Sequence, residues 1–272
     1  MAGHDPANLS GGSKRVPGSS PGTKVLWGTP LPCSHFPSPM SRLYHYTSAS
    51  GLRGIIDSGN LWATHLGFLN DLSEGRAAMA DDAWRARLEE ADRRAPLFIA
   101  SFCHHQEPHQ LKNGLLSQWR GYAGEGGGYC VVFDEEVLDG LVEAERRISP
   151  GLTILKKDIR YAGDGAAEEP NSHMDFLDLA AFVKSEVFAE ENETRITLAV
   201  PPRGTRPVRF REAAEMLIPY VEIFSGSRQL PVTEIIVGPG PLQRRCAAGV
   251  VQFLRAHELE VGVRLSEIPL AR

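Results

Sequence analysis

The sequence predicts an α+β fold: a mixed or split β-sheet with flanking helices. Three observations lead there. Short apolar runs of strand length are interspersed with amphipathic stretches of helical period. Their order is irregular, unlike the strict strand–helix alternation that builds a parallel sheet. The chain has 272 residues, 42% hydrophobic and 23% charged, which is ample and ordinary for a substantial folded core. There is no internal repeat.

Residues 1–40 differ from the rest. Nineteen of these forty positions are Gly, Pro or Ser, and no periodicity runs through them. Such a segment buries too little apolar area to offset its ordering entropy. Met40 directly precedes SRLYHYT, so 1–40 reads as a disordered tail or as a start placed too early. Residues 41–272 read as a single α+β domain.

The elements follow in order. RLYHY is a strand. TSASGLRGIIDSG is a short helix that Thr47 or Ser48 can cap, with Leu52, Ile55 and Ile56 on one face and Gly59 as the stop. LWATH is a second strand. Residues 70–94 make a long helix, with Asp71 and Glu74 at capping-box spacing. PLFIASFC and YCVVFD are apolar strands, and 135–145 is helical. LTILKKDIRY alternates as a strand, 173–191 reads as one helix, and TRITLAV is a strand after it. LIPYVEIF, TEIIVGP and VGVRLSEIP add three strands, with a helix over about 241–257 between the last two.

Bulk properties narrow the function. The net charge of −5 gives no overall field for nucleic acid or an acidic membrane. No apolar stretch approaches the roughly 18 residues of a membrane span. The four cysteines show no CxxC spacing, and no charged-then-apolar leader opens the chain, so free thiols in a reducing cytoplasm are expected.

Four stretches carry candidate chemistry. In LYHYTS, His45 ends a strand just before a helix cap, where a ring and its adjoining backbone can face a cleft; a histidine there also serves as plain structure. In LLSQWRGYAGEGGGYCVVFD, four glycines (Gly124, Gly126, Gly127, Gly128) let backbone approach a ligand, and Trp119, Arg120 and Tyr122 suit a flat-ringed anion. The glycines match neither the dinucleotide fingerprint nor a P-loop, and a turn feeding a strand explains them equally. In FAEENETRI, Glu191, Glu193 and Arg195 alternate as on one face of an extended segment, a setting for a tuned carboxylate or for a solvated charge run. In CHHQEPHQ, Cys103, His104, His105 and His109 could bind metal, but Pro108 disrupts a helix there and a second ligand pair is missing, so no metal is expected.

Taken in order, LYHYTSASGLRGIIDSGNLWAT, FLNDLSEG, ASF, LSQWRGYAGEGGGYCVVFD, KSEVFAEENETRI, VRFRE, IPYVEIF, TEIIVGP and SEIP resemble the bacterial family known as domain of unknown function 2971 (DUF2971). The resemblance runs from about Arg42 to the C-terminus. The opening LYHYTS, a helix and SGNLWAT are also similar to the start of the ADP-ribosyltransferase superfamily. That second resemblance implies an ADP-ribosyltransferase-like fold and NAD as substrate. It implies that His45 bonds the ribose, that the Tyr46 backbone holds the nicotinamide amide, and that Thr47 supports the turn. It further implies Glu193 as catalytic carboxylate with Glu191 as its companion. Tyr122 or Tyr129 would stack on nicotinamide, Trp119 or Tyr122 on the flat rings, and Arg120 or Arg195 would pair with the pyrophosphate. Tyr46 stands where many such enzymes have glycine, and the LSQWRGYAGEGGG block has no counterpart there. The partner expected is a small nucleotide, with the acceptor open. The same cluster suits a nucleotide-binding or sensing module without turnover, or a partner-binding protein in which the motifs only hold the fold.

Overall fold

A computed structural model describes residues 42–69, 82–122, 127–163, 172–201, 206–213, 215–224 and 230–269. The expectations for residues 1–40, for the capping box Asp71/Glu74 and for Gly124 and Gly126 lie outside the described residues. Among the described residues no helix is long and apolar enough to cross a membrane.

The architecture is α+β, with a mostly antiparallel sheet. Its strands are β1 (Arg42–Thr47), β2 (Leu61–His65), β3 (Leu97–Cys103), β4 (Tyr129–Asp134), β5 (Thr153–Asp158), β8 (Glu193–Ala199), β9 (Arg209–Ala213), β10 (Met216–Ile223), β11 (Val232–Val237) and β12 (Gly262–Leu265). The main path runs β12-β11-β4-β1-β3-β2-β10-β9, and β8 joins β3 to β5. A small parallel pair, β6 (Arg160–Ala162) and β7 (Val183–Ser185), stands apart. The helices are α1 (Ala49–Ser58), α2 (Asp82–Arg94), α3 (Pro108–Asn113), α4 (Leu116–Tyr122), α5 (Glu135–Ile148), α6 (His173–Phe182) and α7 (Gln243–Ala256).

The centre of the sheet is buried on both faces, so its strands read as near-continuous apolar runs. Along β1 the pleat sends Leu43 into one cluster with Phe102, Phe133 and Ile235, while Tyr44 and Tyr46 enter another with Trp119, Cys130 and Ile236.

The topology has one consequence for function. β8 pairs with β3 along its whole length, from Leu97 to Cys103. The other edge of β3 is divided. β1 meets it only at Tyr44–Cys103, and β2 meets it only at Thr64–Ile99 and His65–Phe98. Between these contacts β1 and β2 diverge, and the sheet splits over Ala100 and Ser101.

Several elements differ from the sequence reading. The helix expected over 173–191 ends at Phe182. Val183, β-branched and extended at φ −119° and ψ 134°, starts β7 instead, where the ladder with β6 replaces further helical bonds. Residues Glu186–Glu191 then form a 3₁₀ turn, closed by Asn192 in the left-handed region at φ 43°. The strand expected over 152–161 breaks at Ile159, whose N–H leaves the ladder for the Glu193 carbonyl at 2.8 Å. Pro108 does not disrupt a helix but begins one, at the first position where its missing N–H costs nothing.

Behind β1 the His105 ring stacks on Tyr44 at 3.8 Å, and its Nε2 meets the Tyr46 hydroxyl at 3.0 Å. Burial above all, with the Arg264 charge, pushes its pKa down to about 3. In the unfolded chain a histidine titrates near 6.5, so below that pH the unfolded state takes up a proton the folded state refuses. Stability is therefore full above about pH 6.5 and falls as the pH drops toward the folded value; at about pH 5 this one group accounts for roughly 2 kcal/mol. Urea unfolding at about pH 7.5 and about pH 5 should show that loss, and His105→Gln should reduce the difference between the two pH values. An equal difference in both proteins would contradict the assignment.

Candidate functional site

The split opens into a cleft of about 450 Å³. Its walls are the end of β1 and first turn of α1 on one side, Trp62 and Thr64 of β2 on another, Ile99–Ser101 of β3 as floor, and Arg211 and Ile218 beyond. A small pit of about 40 Å³ adjoins it, lined by His45, Ser101, Gln118, Tyr122, Glu191 and Glu193 among others. His45, Tyr46, Ser101 and Tyr122 line both spaces.

His45 sits where β1 leaves β3. Its Nδ1–H donates to the Ser101 carbonyl at 2.8 Å. The ring thus fills a place where the β1–β3 ladder would otherwise continue. That bond fixes the neutral tautomer, leaving Nε2 with its acceptor lone pair. Burial, helped by the Arg211 charge, holds the His45 pKa below its usual value although the Ser101 bond opposes this. The imidazole is therefore uncharged at neutral pH.

Ser101 also lines the pit with Glu193, where it is among the groups that lower the Glu193 pKa. One residue of β3 thereby binds His45 and borders Glu193. Glu193 is 3% exposed and Glu191 6% exposed, so neither belongs to a solvated charge run. Arg195 grips Glu193 bidentately, Nε to Oε1 at 2.6 Å and Nη2 to Oε2 at 3.1 Å. Lys184 Nζ donates to Glu191 Oε2 at 2.6 Å and to Glu193 Oε2 at 3.4 Å. Burial alone would raise the Glu193 pKa, but Arg195, Lys184 and Ser101 outweigh it and hold the group below the ordinary carboxylate range. Glu193 is a fixed anion beside a cleft.

Local structure delivers this arrangement. Glu193 and Arg195 share a face of β8, while Glu191 ends the preceding 3₁₀ turn. The left-handed Asn192 between them returns Glu191 to the same pit. The break at Val183 is equally necessary, since it carries Lys184 to the two carboxylates.

The structure brings His45, Tyr46, Tyr122, Glu191 and Glu193 to the pit, and Thr47 to the cleft wall. Tyr46 contributes there beside its ring's other duty: its hydroxyl accepts from the Leu115 N–H at 2.7 Å and its ring meets Trp119 edge-on at 4.7 Å. Trp119 is 3% exposed and donates to the Asn113 carbonyl, so its faces are committed to the core. Arg120 is exposed on α4 and lines neither space. Arg195 spends its guanidinium on Glu193 and on the Ala181 carbonyl, at 2.9 Å. Tyr129 packs against the core cluster of Leu43 and Phe133 and lines neither space. Sequence reasoning assigned no role to Ser101, Gln118, Lys184 or Arg211. The signal was present: ASF, LSQWRG, KSEVF and VRFRE are among the stretches that carry the family resemblance. Among the described residues no His, Cys, Asp and Glu cluster could hold a metal.

This geometry defines an α+β protein with a cleft at a sheet split and a buried, ionised glutamate at its edge. Residues 118–196 match the profile of the family described as "Protein of unknown function (DUF2971)". The matched segment includes Gln118, Tyr122, Lys184, Glu191, Glu193 and Arg195, while His45 and Arg211 lie outside it. No curated protein sequence matches the chain. Among solved structures, DarT of Thermus sp. 2.9 in complex with NAD+ is similar at 13% identity and TM-score 0.36, over 85% of this chain and 97% of that one. The same protein in complex with ADP-ribosylated ssDNA is similar at 14% identity and TM-score 0.36, over 84% and 95%.

Removing one member of a buried charge network strands the others. Lys184→Met is expected to cost on the order of 3–5 kcal/mol in urea unfolding, and Glu191→Gln added to it to recover part of that loss. Strictly additive losses in the double variant would show that Lys184 and Glu191 do not act as a unit.

Proposed function

We propose that this protein consumes NAD, transferring ADP-ribose to an acceptor, or to water as an NAD glycohydrolase. The observation that carries the reading is Ser101, which accepts from a neutral histidine on the floor of a cleft of ligand size and borders an ionised glutamate in the adjoining pit. The likeness of LYHYTS and SGNLWAT to the opening of ADP-ribosyltransferases supports the same roles.

In this reading His45 Nε2 accepts a hydrogen bond from a ribose hydroxyl, and Tyr122 stacks on the nicotinamide ring. The C1–N bond to nicotinamide breaks, and its electron pair leaves with the ring, which becomes neutral nicotinamide. Positive charge develops on the ribose, and Glu193 stabilises it electrostatically. Because Arg195 and Lys184 already hold Glu193 ionised, the anion is in place before the reaction starts, with little reorganisation left to do. The acceptor oxygen or nitrogen bonds C1 and loses its proton, to Glu193 or to solvent. Cys103 and Cys130 are free thiols, which favours a reducing cytoplasmic setting.

A second reading has its own observation. Both pit carboxylates are tied to Lys184 or Arg195, so the pit also suits a module that binds nucleotide without turning it over. Nicotinamide release separates the two. The enzyme reading predicts that Glu193→Gln lowers kcat on the order of 10²–10³-fold while NAD still raises the melting temperature. His45→Ala is expected to raise KM for NAD. NAD turnover unchanged in both cooperatively melting variants would refute the assignment, and stabilisation by NAD without any nicotinamide release would leave the binding module.

A further inference from the structure

Arg211 occupies an unusual electrostatic position. It stands on β9, half-buried, and lines the cleft opposite the α1 turn. Three inward-facing arginines meet carboxylates: Arg195 has Glu193, Arg206 has Glu145 and Arg264 has Glu234. Arg211 has only the Thr64 hydroxyl, at 3.4 Å, and no carboxylate among the described residues. Glu212 follows it at the cleft wall but is exposed and makes no ion pair with it. Burial lowers the Arg211 pKa without abolishing its charge, and that charge reaches His45. A partly desolvated cation without a counter-ion is costly. A ligand anion would remove that cost.

A second feature of the same cleft favours an anion. Ser48 caps α1, its Oγ accepting from the Gly51 N–H at 3.2 Å, and Ser48, Ser50 and Gly51 line the cavity. The ten-residue α1 thus presents its positive end to the space that Arg211 enters. A Cβ at Gly51 would lie 2.0 Å from Thr47 Oγ1, so that hydroxyl would have to turn aside.

We propose that Arg211, with the first turn of α1, is the phosphate-recognition element of the cleft and selects ligands carrying a diphosphate. This rests on the cleft being the nucleotide site and replaces Arg120 and Arg195 in that role. A planar fork donating two charge-assisted bonds suits a diphosphate better than a point charge does.

Titration calorimetry with ADP-ribose, inorganic pyrophosphate and nicotinamide riboside tests it on the full chain. R211Q should weaken ADP-ribose and pyrophosphate roughly 10- to 100-fold and leave the phosphate-free riboside unchanged. R211K should recover part of the loss. Ser50→Asp, on an exposed helix turn that tolerates an acid, should weaken the same two ligands even if R211Q fails to fold. Equal affinities in wild type and the folded variants, or no binding of either phosphate compound to wild type, would overturn the inference. Arg211-dependent ADP-ribose binding without NAD turnover would sustain it while removing the enzyme reading. Turnover indifferent to R211Q would do the reverse.

Discussion

Ser101 lies where β3 has lost β1 and not yet gained β2, and its carbonyl would be an unpaired acceptor at the split. The His45 ring satisfies it at 2.8 Å. Ser101 meanwhile borders Glu193, carried by β8 on the opposite edge of the same strand, in the pit beside the cleft. The rest of the site depends on this residue. Without the split there is no cleft, and without the imidazole the split leaves a buried polar group unmet.

The pit concentrates opposite charge in little space. Glu191, Glu193, Lys184 and Arg195 are all nearly inaccessible, and each needs the others to offset its desolvation. Such a network is a poor way to stabilise a fold, since apolar residues of similar volume do as well or better. It is an effective way to keep one carboxylate ionised and immobile at the edge of a cavity. That contrast favours a functional origin, as does the different treatment of Arg211, whose charge faces the cleft with a threonine hydroxyl at the limit of hydrogen bonding.

Much of the fold was legible from apolar runs, because the central strands are buried on both faces and carry few interruptions. The ends of elements were less so. Nothing local in HMDFLDLAAFVKSEVFAEE stops a helix at Phe182; pairing of Val183–Ser185 with β6, more than twenty residues earlier in the chain, decides it. Pro108 was read as a breaker although it suits the first turn equally well, a choice made by its neighbours. In the site, Glu191 and Glu193 were visible as an alternating acid pair, and the turn at Asn192 brings them together by another route than a strand face. Lys184 and Ser101 carried no local signal of chemistry, since their significance lies in contacts across strands. Trp119 looked like a stacking surface because an aromatic beside glycines often is, yet its ring is enclosed by Tyr46 and Gly238.

The central claim is that the space between β1 and β2 is a nucleotide site floored by Ser101. A crystal structure of the protein soaked with ADP-ribose tests it most directly. The account predicts density in that cleft, with a ribose hydroxyl within hydrogen-bond distance of His45 Nε2 and the diphosphate toward Arg211. Density elsewhere, for instance in the separate cavity beside Asp57 and His257, with the cleft empty at saturating ligand, would contradict it.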